Sequence, residues 1–314
     1  MDFYLGVTDN RWFNYLSGIS SEDVNFWKPG GRTVFRAIPP GSPFLFKLAA
    51  PSNAIGGMGF FSSYTSLPLN MAWEIFGERN GCATFAEFQS IIGAHRRDGA
   101  RSNPVIGCIV LTNPLFFDRK DWVETPPDWH RETVQGKKYS TADHAGKRLW
   151  DQVFSRFLEY QDPLQPLEPG PNPGKENPDW PGYSGLSLSR RRIGQGAFRV
   201  LVTDAYNRKC SISGEKTLLV LEAAHIQSFS SAGPNSISNG LLLRSDIHKL
   251  FDAGYLTITP DYRVEVSRRI KQEFENGKEY YQFHGKTCLF LPEAPGERPR
   301  KQYIDWHNSN RYQG

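Results

Sequence analysis

Apolar residues in the first 160 positions alternate with small or polar residues over short runs, a pattern typical of β-strands. Four segments show it: residues 3–7, 34–48, 55–64 and 103–111. Three other segments have the spacing of an amphipathic helix: residues 71–76, 85–92 and 150–160. This half of the chain is therefore predicted to be a β-rich domain with a few helices.

The second half follows a different order of elements. A helix is predicted over residues 195–206, and an apolar β-type run over residues 218–221 leads to His225. A loop rich in Gly, Ser, Pro and Asn then connects to a second apolar run at residues 241–243 and a short helix. We therefore expect a hairpin that feeds a helix. Three further elements are predicted: a strand at residues 255–258, a helix at 268–276 and a strand at 287–291.

Residues 162–182 separate these two halves and are dense in proline. Because proline fixes φ and removes a backbone donor, this segment is predicted to be a semi-rigid, polyproline-like spacer. We therefore divide the chain into a domain at residues 1–160, a linker at 161–185 and a second domain at 186–314.

The composition fits globular domains of this kind. The 314 residues include 13% aromatic residues, 29 Gly and 22 Pro, which favours β-rich and loop-rich units over helical bundles. No apolar run reaches the roughly 18 residues of a membrane span. The first residues lack the basic start and apolar core of a secretory signal, and the four cysteines are far apart. We therefore expect a cytoplasmic protein with free thiols and no membrane partner.

The net charge of +4 is unevenly distributed along the chain. Residues 190–314 contain 19 Lys and Arg against 13 Asp and Glu, whereas residues 1–189 carry a net charge of −2. A basic C-terminal half suits a partner with a phosphate backbone. Such an imbalance alone is also typical of an ordinary solvated surface.

Four polar residues in the hairpin and its helix carry candidate chemistry. His225 ends the first apolar run, Asn239 ends the loop, and His248 and Asp252 are four residues apart on the predicted helix. Side chains with that helical spacing share a face. Phosphodiester cleavage needs a neutral imidazole that accepts a proton from water and a metal ion that holds the phosphate and the leaving oxygen. This segment therefore contains the residue types that such chemistry needs.

The order of these residues resembles a known family. EAAHI at residues 222–226, followed by NGLLLRSDIHKLFD at residues 239–252, is similar to the HNH endonucleases of the HNH-2 type. The resemblance implies a ββα-metal fold in which His225 is the general base and His248 binds the metal. It implies that Asn239 fixes the loop and orients the base, although the Asn-Gly dipeptide alone equally fits an ordinary turn. The implied cofactor is Mg²⁺, Mn²⁺ or another divalent ion.

One position departs from the family pattern. Many HNH enzymes carry Asp or His directly before the base, where this chain has Ala224. Glu222 points to the same face of the strand, so it joins His248 and Asp252 as a candidate metal ligand. For Asp252, a contact to a ligand or a plain surface position stays open, and Asp246 is a competing carboxylate or a helix N-terminal group.

The family's zinc knuckle has no counterpart in this sequence. Many HNH nucleases hold the hairpin with zinc bound by paired cysteines, but the corresponding segment here is CSISG, in which Cys210 has no paired cysteine. The later positions around Ser245 and Asp246 also lack cysteine. A structural zinc site needs about four such ligands, so none is expected.

Basic residues near the motif are candidates for binding DNA phosphates. Arg244 and Lys249 flank the site, and four arginines precede it: Arg190, Arg191, Arg192 and Arg199. Taken alone, each of them fits an ordinary solvated charge better than a phosphate contact. Together, on the basic half of a nuclease, they predict a binding surface for double-stranded DNA.

The first half carries a second resemblance. PPG followed by FLFKL, then IGGMGFF and NPVIGCIVL, is similar to the PUA-like barrels, in particular their EVE and ASCH branches. Domains of that superfamily include readers of modified bases, which flip the base from the duplex into an aromatic-lined pocket. Most aromatic residues are expected in the core, and the candidates for a pocket are Phe60, Phe61, Tyr64, Trp12 and Trp27.

These features together predict an α+β protein with an N-terminal PUA-like β-barrel with helices and a C-terminal ββα-metal HNH nuclease domain. A base reader joined to a nuclease resembles the modification-dependent restriction endonucleases, so the expected substrate is double-stranded DNA with a modified base, a cytosine derivative first of all. A duplex needs two cuts, made by a homodimer or as two independent nicks. Two alternatives stay open: an N-terminal domain that senses a small ligand or protein signal, and a DNA-binding module with an inactive nuclease fold.

Overall fold

The computed structural model describes residues 1–96, 102–130, 132–160, 194–231 and 233–314. The chain divides into two compact units, Met1–Ala197 and Phe198–Gly314. The predicted linker at residues 161–185 and the candidate DNA-binding residues Arg190, Arg191 and Arg192 lie outside the described residues. Within the described ranges, no helix combines the length and the apolar character needed to cross a bilayer.

The first unit is built on one mixed sheet. Its strands are β1 (Asp2–Thr8), β2 (Asp23–Lys28), β3 (Pro43–Leu48), β4 (Ala54–Pro68), β5 (Val105–Phe116), β6 (Val123–Glu124) and β7 (Gly136–Ser140). The strand order is β2-β5-β4-β3-β1-β7, with β6 paired to β4. The pair β1–β3 is parallel and the other pairs are antiparallel. Bulges in the β4–β5 pairing allow these two long strands to bend.

The α+β class predicted from the sequence is confirmed by this sheet and its helices. The closed barrel stays a prediction, because the strand path among the described residues begins at β2 and ends at β7, and no pairing joins these two strands there.

Four helices accompany the sheet: α1 (Asn10–Leu16), α2 (Leu69–Phe76), α3 (Phe85–Ala94) and α4 (His144–Glu159). The first turn of α4 is capped by Asp143, whose carboxylate accepts a hydrogen bond from the backbone N–H of Gly146 at 2.6 Å. Leu149, Val153 and Phe157 are buried along one stripe of this helix. The spacing of apolar residues therefore gives α4 its packing face.

Two apolar cores form in the first unit. One contains Phe60 and the buried stripe of α4, and the other contains Phe61 with Trp12 and Phe13 of α1. Because successive side chains of a strand point to opposite faces, the neighbours Phe60 and Phe61 enter different cores. This sheet is thus covered by apolar side chains on both faces.

The second unit consists of shorter elements. After α5 (Gln195–Ala205), which begins just before it, they are β8 (Leu221–His225), β9 (Gly240–Arg244), α6 (Ser245–Asp252), β10 (Leu256–Ile258), β11 (Val264–Val266), α7 (Arg269–Phe274), α8 (Lys278–Tyr281) and α9 (Lys301–Asn310). The pairs β8–β9 and β10–β11 are separate antiparallel hairpins. The fully buried residues Leu241, Ile247, Phe251 and Ile304 form part of the core of this unit.

Most predicted helices and strands are present, some with longer and some with shorter bounds than predicted, and the exceptions are local. The predicted strand at residues 287–291 is wrong, since only an isolated bridge between Arg263 and Thr287 occurs there. The run at 218–221 is mostly a 3-10 turn, Leu218–Val220, and β8 begins after it. The sequence reading missed β2, β6, β7, β11, α1, α8 and α9.

Candidate active site

The hairpin β8–β9 and helix α6 form the ββα unit that was predicted. The register pairs His225 with Gly240 at the loop end of the hairpin and Leu221 with Arg244 at the other end. Helix α6 begins at Ser245, directly after β9, and packs against both strands. The helix therefore brings its own side chains to the strand that carries His225.

His225 lies at the end of β8 with its ring partly buried. The ring stacks on Phe198 with a centroid distance of 3.9 Å and an interplanar angle of 13°. Its Nε2 lies 2.7 Å from Oδ1 of Asn235 in the loop between β8 and β9. Burial lowers the pKa of His225, while the hydrogen bond to Asn235 and the charge of Asp252 act in the opposite direction. The ring is therefore neutral at neutral pH and able to accept a proton.

Asn239 is fully buried and holds the loop. Its Oδ1 accepts a hydrogen bond from the backbone N–H of Gln227 at 2.9 Å, and its Nδ2 donates to the carbonyls of Gln227 and Pro234, each at 3.0 Å. The following Gly240 is needed for close packing, because a Cβ there would lie 2.5 Å from a methyl group of Val202. The side-chain hydrogen bonds of Asn239 thus hold the loop through backbone groups, and these bonds do not involve His225.

His248 lies between two carboxylates. Its Nδ1 is 2.6 Å from Oε2 of Glu222 on β8, and its Nε2 is 3.2 Å from Oδ2 of Asp252 one helical turn later. Burial alone would lower the pKa of His248, but the hydrogen bonds to Asp252 and Glu222 outweigh it and raise that pKa above its ordinary value. Strand alternation places Glu222 on the same face of β8 as Ala224. From that face Glu222 contacts His248 directly.

The side chains of Glu222, His248 and Asp252 do not converge on one common position that a metal ion could occupy. Glu222 and Asp252 face opposite nitrogens of the His248 ring, and no group of three His, Cys, Asp or Glu residues in the described ranges has the geometry of a ready metal site. Two of them nevertheless fit a hard divalent ion. Neighbouring ligands of an octahedral ion at about 2.1 Å lie about 3 Å apart, close to the separation of Asp252 Oδ2 and His248 Nε2.

Glu222 fits a different role beside such an ion. Imidazole ligands commonly donate their second ring N–H to a carboxylate, which fixes the tautomer and the ring plane. The contact between Glu222 and Nδ1 of His248 has this form. The donor set therefore suits a divalent ion held by His248 and Asp252, with Glu222 orienting the imidazole.

The predicted DNA-binding residues differ in their surroundings. Arg244 makes two hydrogen bonds to Asp246, at 2.6 and 2.7 Å, and this carboxylate also accepts from Tyr280. Asp246 therefore pairs with Arg244 and not with the histidines. Lys249 on α6 is exposed, and Arg199 on α5 is half-buried. Lys249 is the more accessible cation beside the site.

The turn that carries Cys210 is tied to the hairpin by hydrogen bonds. The buried Sγ of Cys210 accepts from the backbone N–H groups of Ser213 and Arg244, each at 3.3 Å. The backbone N–H of Ser211 donates to the carbonyl of Leu242 at 2.7 Å. These contacts join the turn to β9 at the position where many HNH nucleases have a zinc knuckle.

The first unit contains a large cleft with an aromatic and basic lining. Its volume is about 1200 Å³, somewhat above the ~300–1,000 Å³ of common small-molecule sites. Aromatic residues line part of it: Tyr4, Trp12, Phe26, Trp27 and Phe35. Charged residues line another part: Asp9, Arg11, Lys28, Arg32, His95 and Arg96. A planar ring with an attached phosphate suits such a lining.

Two of the five predicted pocket residues line this cleft. Trp12 is almost fully buried, whereas Trp27 is partly exposed and its indole Nε1 donates to the carbonyl of Asn80 at 3.0 Å. Phe60 and Phe61 are each 5% exposed and belong to the two cores. Tyr64 is half-buried against the second core and is not part of the lining. Of the predicted pocket residues, Trp27 is therefore the best placed.

Two residues beside His225 were missed by the sequence reading. Asn235 is one of several polar residues in a turn-rich loop, and Phe198 is one of several apolar residues on α5. Nothing in the local pattern distinguishes them, because their contacts with His225 depend on how the loop and the helix pack.

Comparison with known proteins assigns the class of this unit. Residues 210–259 match the HNH_2 family of HNH endonucleases. This segment contains β8, β9 and α6 with His225, Asn239 and His248. The prediction of an HNH endonuclease is therefore confirmed, and the substrate that this class implies is DNA. No curated protein sequence matches the chain.

Among solved structures, the ASCH protein from Zymomonas mobilis is similar with a TM-score of 0.31 and 6% identity, over 51% of this chain and 96% of that chain. A structure titled as the modification-dependent restriction endonuclease TagI is similar with a TM-score of 0.29 and 13% identity, over 94% of this chain and 77% of that chain.

Proposed function

We propose that this protein is a modification-dependent DNA endonuclease, with a base-reading N-terminal unit and an HNH cutting unit. The observation that carries the proposal is the pairing of two differently tuned histidines in one ββα unit. His225 is partly buried and has a lowered pKa, whereas His248 is held by two carboxylates. A base for water and a metal-binding group are the two parts that phosphodiester hydrolysis needs.

In this proposal His248 and Asp252 hold one divalent ion, Mg²⁺ or Mn²⁺, and Glu222 orients His248. When bound, the ion polarises the scissile phosphate and stabilises the leaving oxygen. His225 accepts the proton of the attacking water, and Asn239 keeps the loop beside it in place. Exposed Lys249 binds a neighbouring phosphate oxygen.

The N-terminal unit is proposed to hold a flipped base in the cleft beside Trp27. The leading candidate for this base is a cytosine derivative. Stacking on an aromatic ring supplies about 1–3 kcal/mol per base, which offsets the few kcal/mol of unstacking. Lys28 and Arg32 of the same lining suit the flanking phosphates. We further propose that the sheet of the first unit belongs to a PUA-like barrel.

Cleavage of both strands requires two hydrolytic events at one site. Among its described residues, the second unit contains one ββα motif, and this motif carries one candidate general base, His225. We therefore propose that two protomers act on a duplex, or that one protomer nicks the strands in succession.

The central test is the variant His225→Ala in the full chain. With Mg²⁺ or Mn²⁺ present, we expect plasmid cleavage to fall by at least about 10²–10⁴-fold, because the general base is lost. Affinity for the same DNA should persist, since phosphate and base contacts lie elsewhere. Plasmids with and without cytosine modification are cleaved in parallel, and DNA binding is measured by gel shift.

The outcomes separate the alternatives. Near-normal cleavage by His225→Ala would remove the assigned base. Equal cleavage of modified and plain plasmids by the wild-type protein would favour an N-terminal unit that senses a small ligand or protein signal. Binding without any cleavage by the wild-type protein, across a range of divalent ions, would favour an inactive nuclease fold.

A further inference from the structure

Asn235 is the only described side chain shown to form a hydrogen bond with the ring of His225. It lies in the loop between β8 and β9, is 9% exposed, and has its Oδ1 2.7 Å from Nε2 of the histidine. An amide oxygen can only accept a hydrogen bond. Nε2 must therefore carry the proton, and the lone pair of the neutral ring lies on Nδ1.

Stacking alone does not determine the orientation of the His225 ring. The face-to-face contact with Phe198 fixes the ring plane, but it is nearly unchanged when the ring turns by half a rotation. That rotation exchanges the positions of nitrogen and carbon atoms. A directional hydrogen bond to one nitrogen is what distinguishes the two orientations.

We propose that Asn235 is the positioning residue of the nuclease site, which holds His225 as the Nε2–H tautomer and leaves Nδ1 to accept the proton of water. This rests on the proposed function of His225 as the general base. The family resemblance implied that Asn239 alone fixes the loop and orients the base. In this proposal Asn239 fixes the loop and Asn235 orients the base.

Asn239 stabilises the backbone on both sides of the contact between Asn235 and His225. Its amide nitrogen donates to the carbonyl of Pro234, the residue directly before Asn235, at 3.0 Å. It also binds both backbone polar groups of Gln227, two residues after His225. Asn239 therefore clamps the two backbone segments that carry the base and its hydrogen-bond acceptor.

The neutral amide suits the charges around the base. Burial disfavours a charged ring at His225, while the carboxylate of Asp252 favours it and the imidazole of His248 opposes it. A carboxylate at position 235 would add a further negative charge next to Nε2 and would stabilise the protonated ring. An amide orients the ring without that added charge, so His225 stays neutral to lower pH.

The experiment compares Asn235→Ala and Asn235→Asp with the wild-type full chain at saturating Mn²⁺ at each pH. Asn235→Ala should lower kcat by about 10–100-fold, the effect common for residues that orient an active imidazole, with little change in KM. Asn235→Asp keeps an acceptor oxygen, so it should recover most of kcat and move the acid limb of the pH profile to higher pH. Asn310→Asp, on the exposed end of α9, adds the same charge as a control and should change neither.

A merely structural role for Asn235 predicts a different result, namely a lower melting temperature with an acid limb that stays in place. The inference is overturned if Asn235→Ala keeps wild-type kcat, or if folded Asn235→Asp leaves the acid limb unmoved. If Asn235→Ala does not fold, the shift in Asn235→Asp decides alone. Retained cleavage by His225→Ala would instead contradict the proposed base, which separates the two failures.

Discussion

His248 shows how the surroundings of a single residue determine its chemistry. Two carboxylates on opposite ring nitrogens raise its pKa against the effect of burial. The neighbouring His225 has a lowered pKa because burial dominates. The pKa values of two histidines in the same small motif are thus shifted in opposite directions by their surroundings.

Metal binding tests whether Glu222 is a ligand or an orienting residue. Glu222→Ala should weaken Mn²⁺ binding by about 10–100-fold. Glu222→Gln should recover most of that loss, because an amide oxygen still accepts from Nδ1 of His248. Asp252→Asn and His248→Ala should each weaken binding more strongly. Mn²⁺ binding is measured without DNA, by calorimetry or by the electron paramagnetic resonance spectrum of Mn²⁺. The readout therefore does not depend on nuclease activity.

The matched control is Glu279→Gln on α8, an exposed glutamate whose change should leave Mn²⁺ binding unaltered. Glu222→Gln as damaging as Glu222→Ala would identify Glu222 as a direct ligand. If neither Glu222 nor Asp252 changes the affinity, both carboxylates lie outside the metal shell.

At the residue scale, the sequence indicated the candidate catalytic and metal-binding residues better than it indicated the neighbours that surround them. His225, Asn239 and His248 were identifiable by order and spacing, and Glu222 followed from strand alternation. Asn235 was not identifiable, because the loop holds many polar residues and only its folded course selects one of them. Phe60 and Phe61 were expected in a pocket, but both faces of β4 are covered by apolar residues.

At the element scale, the ββα unit depends on a support that the sequence did not indicate. Helix α9 was not predicted, yet its His307 is 2% exposed and stacks on Phe251 of α6 at 3.8 Å. Nε2 of His307 lies 3.0 Å from the carbonyl of Phe251 at the end of α6. The helix that carries His248 and Asp252 is therefore anchored at its C-terminal end. Long-range packing of this kind leaves little local signal in a sequence.

The buried His307 predicts a pH dependence of stability. Burial lowers its pKa from 6.5 to about 4. The unfolded chain therefore binds a proton at higher pH than the folded chain, and the contribution of His307 to stability is complete above about pH 6.5 and declines as the pH falls toward 4. The decline amounts to at most about 3 kcal/mol in the free energy of unfolding.

The measurement is urea unfolding of the full chain between pH 7.5 and 4, comparing wild type with His307→Gln. The variant should be less stable at neutral pH by about 1–3 kcal/mol, because buried partners lose a hydrogen bond. It should also lose less stability than the wild type on acidification. His284→Gln, at an exposed histidine in the same unit, serves as the control. Parallel pH profiles for wild type and His307→Gln would contradict the anchoring role.

At the scale of the whole molecule, charge and selectivity belong to different parts. Residues 190–314 hold 19 basic against 13 acidic residues, so this half attracts any phosphate backbone regardless of sequence. The aromatic cleft of the first unit is the described feature suited to read a base. Selectivity for modified DNA is therefore expected to depend on the cleft and general affinity on the basic half.

This division predicts how Trp27 affects discrimination. We take the full chain with His225→Ala to prevent cleavage and measure its affinity for a modified and an unmodified duplex of the same sequence. Adding Trp27→Ala should reduce the preference for the modified duplex by roughly 5- to 150-fold, equivalent to about 1–3 kcal/mol of lost base stacking. Affinity for the unmodified duplex should change little, because phosphate contacts remain and retain their salt dependence.

Trp129→Ala provides the matched control for the loss of an indole. Trp129 is half-buried against the first core, next to Lys47, and is not part of the cleft lining. Its removal should lower stability without altering the ratio of the two affinities. If Trp129→Ala and Trp27→Ala reduce that ratio equally, the effect reflects general destabilisation of the unit. If the parent protein binds both duplexes alike over a panel of cytosine and adenine modifications, the cleft does not read a base, and a small ligand or protein signal becomes the better candidate for its occupant.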